Sequence, residues 1–196
     1  TVDKVGFTGS SAVGRRIGAL CGEHLVSPIL ELGGKNPLVV MPDAPLDLAV
    51  EGALFSGFGT AGQRCTSLGI TVVHASVHEE FLARFTAAVE AARIGDPFED
   101  VIYGPMISER FDANFAGWLE QLQPHHRVSG SSAIGRISAD SPREGFVGDP
   151  DAGLFQHPVI VDGVGPEDRL YREETFGPIA PVATFDTFED ALALAN

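Results

Sequence analysis

Apolar and polar positions along the chain alternate between two periods. Residues 2–7 form a short apolar run that predicts a buried strand, closed by the turn Thr8-Gly9-Ser10-Ser11. Val13, Ile17, Leu20 and Cys21 then recur at helical spacing. Residues 28–32 and 37–41 read as further strands, with Gly33-Gly34 between them, and residues 46–61 as a mostly apolar, buried helix. Residues 70–74 are strand-like. From Ser76 onward Val77, Phe81, Phe85, Val89 and Ala92 mark an amphipathic helix that Gly95-Asp96-Pro97 ends. Ile107, Phe111, Phe115, Trp118 and Leu122 mark another. Residues 129–153 are rich in Ser, Gly, Asp and Pro and predict an exposed loop, before strands at 158–161 and 179–185. Strands alternating with helices imply an α/β fold with largely parallel sheets.

Composition narrows the functional classes. The 196 residues are 44% hydrophobic and carry 13 basic against 27 acidic side chains, a formal net charge of -14. Such a surface repels nucleic-acid phosphates and anionic lipids, so neither is an expected partner. No apolar run reaches the length of a bilayer span. Two cysteines are too few for a disulfide framework, which points to a reducing cytoplasm. The chain opens directly on a strand and closes within a helical pattern, so it reads as part of a longer protein.

Cys65 carries the first candidate chemistry. A lone cysteine is ordinarily a small buried hydrophobe, and Cys21, on the apolar face of its helix, takes that reading. Cys65 instead follows Thr60-Ala61-Gly62-Gln63-Arg64, where small residues allow a carbonyl close approach and a cation can favour the thiolate. Its backbone N–H could serve a developing oxyanion. Glu31 lies in an apolar strand, where an unpaired carboxylate is costly and pairing with Lys35 is the bland reading. The turn around Gly9, Ser10 and Gly14 leads from a strand into a helix, whose N-terminal N–H groups suit a phosphate. Gly57-Phe58-Gly59-Thr60-Ala61-Gly62 fits the dinucleotide fingerprint by letter, but it lies late in a helix and lacks the required context. Its glycines are expected to let backbones pack behind Cys65. The six histidines show no metal-ligand spacing, so no metal site is expected and all read as solvated or structural.

Taken together, Leu30-Glu31-Leu32-Gly33-Gly34-Lys35, Gly62-Gln63-Arg64-Cys65-Thr66, Phe7-Thr8-Gly9-Ser10 and Glu173-Glu174-Thr175-Phe176-Gly177-Pro178 resemble the aldehyde dehydrogenase superfamily, from end to end of the chain. The resemblance implies a Rossmann-like cofactor domain ending at residues 1–33, followed by most of an α/β catalytic domain at 34–196. It implies NAD or NADP as cofactor, with NAD slightly preferred, held by Gly9, Ser10, Gly14, Leu32, Gly33, Glu174 and Phe176. By the same resemblance Glu174 bonds the nicotinamide ribose and Phe176 packs by the ring. Cys65 becomes the nucleophile that attacks an aldehyde, and Glu31 the base that activates water to release the acid. Burial is expected to raise the Glu31 pKa toward the useful range.

The family's side-chain oxyanion donor, an Asn, and its adenosine-binding residues are expected upstream of Thr1. The chain alone is therefore expected to be inactive, and the full-length protein to be a homo-oligomer acting on a small-molecule aldehyde. Gly59 to Thr66 and Tyr103-Gly104-Pro105 incline toward the branch that oxidises semialdehydes of amino-acid breakdown. Residues 131–153 depart from the usual shorter turn. The rival readings are a cysteine acyl-transferase or thiol hydrolase without nicotinamide, and an inactive fold.

Overall fold

The computed structural model describes residues 2–196, and its contacts divide them into two compact units, the first ending at Gly34 and the second Lys35–Asn196. In the first, strand β1 (Lys4–Gly9) pairs in parallel with β2 (Ser27–Leu32), and helix α1 (Ser11–Glu23) makes the crossover between them. Ser10 caps α1 through its hydroxyl, which accepts the Val13 N–H at 3.4 Å. The register sets Thr8 opposite Glu31 and Gly9 opposite Leu32. Within α1 the buried positions are Gly14 and Cys21, whereas Val13 and Leu20 are exposed, so only part of the expected apolar face is covered.

The second unit is built on a five-stranded sheet in the order β3-β4-β7-β6-β5. Its strands are β3 (Asn36–Val40), β4 (Leu68–His74), β5 (Arg127–Ser129), β6 (Val159–Asp162) and β7 (Ile179–Phe185). Pairings β3–β4, β4–β7 and β6–β7 are parallel, and β5 joins the edge antiparallel. The starts of β3, β4, β6 and β7 therefore lie along one rim of the sheet. β6 is buried throughout and β4 is buried from Leu68 to Val73, which explains their continuous apolar runs.

Helices cover both faces. On one, α2 (Leu46–Phe58) and α3 (Ala75–Ala91) join a core that includes Phe58, Phe81, Phe85, Val89, Val73 and Val182. Phe81 and Phe85 are fully buried, each contributing roughly 1.5–3 kcal/mol. On the other face, Ile70, Val72, Ala183 and Phe185 meet Ala191 of α6 (Phe188–Ala195), which starts in a Thr187–Asp190 capping box. Between β4 and β5, α4 (Glu109–Leu119) buries Phe115, and between β6 and β7, α5 (Arg169–Arg172) buries Leu170.

Three expectations need correction. The strand foreseen as buried at residues 2–7 runs Lys4–Gly9 and contains no buried residue, because it belongs to a two-stranded ribbon. The helix foreseen at 46–61 ends at Phe58, and it is not uniformly buried, since Leu48 and Phe55 are exposed. The 129–153 stretch is not a solvated loop either: Ile137 is fully buried and Arg143 nearly so. Arg143 donates to the carbonyl oxygens of Val89 (2.7 Å), Glu90 (3.2 Å) and Ala92 (3.4 Å) at the end of α3, where Val89 O also accepts the Ala92 N–H. It also bonds Gly130 O and Ser131 Oγ, so one guanidinium ties the stretch to the sheet domain. Burial pushes its pKa below the usual arginine range.

Candidate functional site

The segment joining α2 to β4 turns through three consecutive left-handed residues: Thr60 (φ 56°), Ala61 (φ 55°) and Gly62 (φ 67°). A β-branched residue there is a true outlier, with a cost of order 1–3 kcal/mol that the surroundings must hold in place. They hold it by packing. A Cβ on Gly62 would lie 2.3 Å from Gly177 O, so the turn rests directly on the Phe176-Gly177-Pro178 backbone. Gly177 is itself pressed against Phe115, whose ring would lie 2.4 Å from an added Cβ. The expectation that these glycines pack behind the thiol thus matches the geometry for Gly62.

Three residues further on, Cys65 is exposed, while Cys21 is buried. Asn36 Nδ2 donates to Cys65 O and to Ser67 O, both at 2.8 Å. Gln63 Oε1 accepts the Ile107 N–H at 3.0 Å, and Ser67 Oγ accepts the Arg64 N–H at 3.2 Å. Arg64 does not behave as foreseen. Its guanidinium turns back onto α2, donating to Phe55 O at 3.1 Å and lying 5.0 Å from the Phe55 ring centre. Its charge is engaged there rather than presented to the thiol.

Gly62 against Gly177 brings the thiol loop beside the Glu174-Thr175-Phe176 segment. Phe176 is held at φ 48°, with its ring 5.4 Å from that of Phe111. Together with Asn114, Trp118, Arg169 and Glu174, these rings line a cleft of about 390 Å³. Arg169 stacks over Trp118 and grips Glu173 with two hydrogen bonds, at 2.8 and 2.9 Å. Lys35 Nζ is buried without a hydrogen-bond partner. Burial lowers its pKa to about 8 against the opposing attraction of Glu174 and Glu173.

In the first unit, Gly14 lies against Leu32, whose Cδ2 would be 2.5 Å from an added Cβ, so a glycine is needed for α1 to sit on β2. A Cβ on Gly9 would lie 2.6 Å from the Phe7 ring. Ser10 occupies the N-cap. Glu31 is exposed, and Gly33 follows β2 directly. The burial expected to act on Glu31 is therefore not present, because side chains alternate across this two-stranded ribbon and the face bearing Glu31 is open.

His78 and His157 are held in structural contacts. His78 Nε2 bonds Asp162 Oδ1 at 2.7 Å, and His157 bonds Ser131 Oγ at 2.8 Å. Nitrogen and oxygen atoms of His125, His126 and Asp168 converge within 4.8 Å, a grouping the sequence spacing did not suggest. His126 Nδ1 accepts the Gln123 N–H at 3.0 Å, so the neutral ring carries its proton on Nε2, which faces Asp168 Oδ2 at 3.4 Å. A proton directed at the carboxylate is the reverse of a metal ligand. Asp168 also takes the Gly165 N–H at 2.8 Å, so the trio clips two turns together.

Cys65 is thus exposed three residues after a strained turn, and that turn packs against the segment that carries Phe176. The aldehyde dehydrogenase family model matches residues 1–196. The chain belongs to the aldehyde dehydrogenase family. It is 39% identical over its whole length to the peroxisomal aminoaldehyde dehydrogenase 2 of Pisum sativum, of which it covers 37%. It is 33% identical over its whole length to the alpha-aminoadipic semialdehyde dehydrogenase of Bos taurus, covering 34% of it. Among solved structures, the betaine aldehyde dehydrogenase of Staphylococcus aureus in complex with NAD+ superposes with a TM-score of 0.88 at 30% identity, over 100% of this chain and 37% of that one. The chain thus spans little more than a third of the aldehyde dehydrogenases it matches. Among the described residues no helix is long and apolar enough to cross a membrane.

Proposed function

We propose that this chain supplies the nucleophile of an NAD(P)-dependent dehydrogenase that oxidises an aldehyde to a carboxylate. The observation that carries the reading is the contact of Gly62 with Gly177, which sets an exposed Cys65 loop beside the Phe111–Phe176 cleft. A cysteine transferase or hydrolase has no need of that cleft. Its paired rings and the Glu174 carboxylate fit a nicotinamide riboside, since a carboxylate accepts from both hydroxyls of a ribose diol. In the first unit, Gly9, Ser10 and Gly14 at the start of α1, with Leu32 and Gly33 after β2, would hold the pyrophosphate end. Bound to these residues, the nicotinamide would supply the hydride acceptor.

The chain's own residues do the rest. The Cys65 thiolate adds to the aldehyde carbon and gives a thiohemiacetal, whose oxyanion its backbone N–H can meet. Once the hydride has left, the carbon is held as a Cys65 thioester. Glu31 takes a proton from water, the resulting hydroxide adds to the thioester carbonyl, and the C–S bond breaks to release the acid and the thiolate.

Small aldehydes derived from amino acids are the proposed substrates, supported by the aminoaldehyde and semialdehyde relatives and by the Gly59–Thr66 and Tyr103–Pro105 residues. Two free thiols fit a reducing compartment such as the cytoplasm. The test is NADH absorbance in the protein carrying this chain, with NAD and NADP and a panel of amino- and semialdehydes. Cys65→Ser should remove the NADH burst as well as turnover, because an alcohol at neutral pH is a far weaker nucleophile than a thiolate. Full turnover in that variant would end the reading.

A further inference from the structure

No sequence motif singled out Asn36, yet it touches the candidate nucleophile's own backbone. We infer that Asn36 is a positioning residue for Cys65: its side-chain amide, bonded to the carbonyl oxygens of Cys65 and Ser67, fixes the loop that presents the thiol. The inference rests on the reading of Cys65 as the nucleophile.

The amide nitrogen of asparagine carries two hydrogens, and both are used here, one on each carbonyl at 2.8 Å. The opposite amide orientation would set Oδ1 against two carbonyl oxygens, so the chemistry of the partners dictates which way the group faces. The backbone alone cannot make this tie. The β3–β4 register passes from Asn36 opposite Leu68 to Pro37 opposite Ile70, skipping Gly69. Pro37 has no N–H to give. A Cβ on Gly69 would lie 2.6 Å from Asn36 N, so only glycine lets β4 enter so close to β3. The irregularity brings the loop within reach of the Asn36 side chain while interrupting the main-chain ladder.

Other ties hold the flanks. Gln63 binds Ile107 N–H, and the Arg64 N–H binds Ser67 Oγ. Among the described residues, the side-chain hydrogen bond made to residue 65 itself comes from Asn36. Anchoring the Cys65 carbonyl fixes the 65–66 peptide plane, and with it the direction in which the Cα–Cβ bond carries the sulfur. Asn36 acts through Cys65 and takes no part in proton or hydride transfer.

The experiment compares wild type, Asn36→Asp, Asn36→Ala and Asn36→Gln in the protein carrying this chain. It measures the NADH burst, kcat, the KM for NAD, and the rate of Cys65 alkylation by iodoacetamide. Asp keeps the shape and loses both donors, Ala loses both, and Gln keeps both on a longer stem. Asp and Ala should lower kcat and the burst rate by roughly ten- to a hundredfold, the scale set by displacing a nucleophile by about an ångström. The KM for NAD should change less than about twofold by the same argument, because the cofactor residues are elsewhere. Alkylation should change in step with the burst, and Gln should recover part of both. Wild-type burst and alkylation rates in Asp and Ala, with Cys65→Ser inactive, would overturn the role of Asn36 and leave the nucleophile intact. Equal losses in kcat and NAD affinity across all three variants would likewise reduce Asn36 to a structural residue. Full turnover in Cys65→Ser would instead remove the reading on which the inference stands.

Discussion

Gly62 and Gly177 stand backbone to backbone, with no room for even a methyl group between the turn before Cys65 and the turn after Phe176. Two sequence blocks more than a hundred residues apart are thereby locked into one surface.

That contact makes Gly62→Ala a sensitive probe. The substitution adds a Cβ both to a left-handed residue and to a closed gap. We expect a loss of about 2–5 kcal/mol, combining the left-handed penalty with overpacking, read by chemical denaturation. Activity should fall further than stability, because the turn that yields is the one leading into the thiol.

Glu31→Gln separates the two halves of the proposed reaction. The amide cannot accept a proton from water, so turnover should fall by about 10²–10⁴-fold. The NADH burst should persist at near the wild-type amplitude, since acylation uses Cys65. Rapid-mixing absorbance distinguishes the phases, and unchanged steady-state turnover would strip Glu31 of its role.

Lys35 gives a pH signature of opposite sign to most lysines. Its pKa falls from 10.5 in the unfolded chain to about 8 in the folded one, chiefly through burial, with Glu174 and Glu173 opposing. Between these values the unfolded state binds more protons, so stability contributed by this group rises with pH from about 8 to 10.5. Below pH 8 the buried ammonium imposes its full cost, on the order of 3 kcal/mol. Tyr103 works against it at the alkaline end, because burial raises its pKa and folding then weakens as the unfolded phenol ionises. The measurement is therefore the difference between wild type and Lys35→Met: the variant should be the more stable at pH 7, and the gap should close by pH 10.5.

Arg143→Leu removes the donor from five acceptors, three of them at the end of α3. Losing charged hydrogen bonds to buried carbonyls should cost roughly 2–4 kcal/mol. Limited proteolysis should then cut within residues 130–153 at rates well above wild type, while the Cys65 loop stays protected.

Much of this was legible in the chain. The strand foreseen at 179–185 is Ile179–Phe185 in the fold, because an apolar run between Pro178 and Asp186 leaves few alternatives. Residues 28–32 and 37–41 each fell within one residue of β2 and β3. The 46–61 helix ran too long because apolar residues continue past Phe58, whereas the chain leaves the helix through left-handed backbone that hydropathy does not encode. Residues 129–153 misled for a related reason. Ile137 and Arg143 are buried by contacts with no period, so composition registered only the polar remainder. The proposed roles of Cys65, Glu174 and Phe176 rest on their neighbours in the sequence. Asn36 had no such signal, because its partners are main-chain oxygens 29 and 31 positions away, and carbonyls leave no mark on a sequence.

The parallel order of β3, β4 and β7 has one more consequence. Asn36, the Cys65 loop and the Phe176 turn each occupy the entry to a neighbouring strand, so the sheet acts as a jig with three adjacent slots. Whatever the chain does between leaving one slot and entering the next has no effect on their alignment. The crossovers can lengthen, shorten or acquire ornaments such as residues 130–153, and the three entries still line up. A single-residue deletion between Cys65 and Gly69 would be different, because it would move the sulfur one notch past the amide that indexes it.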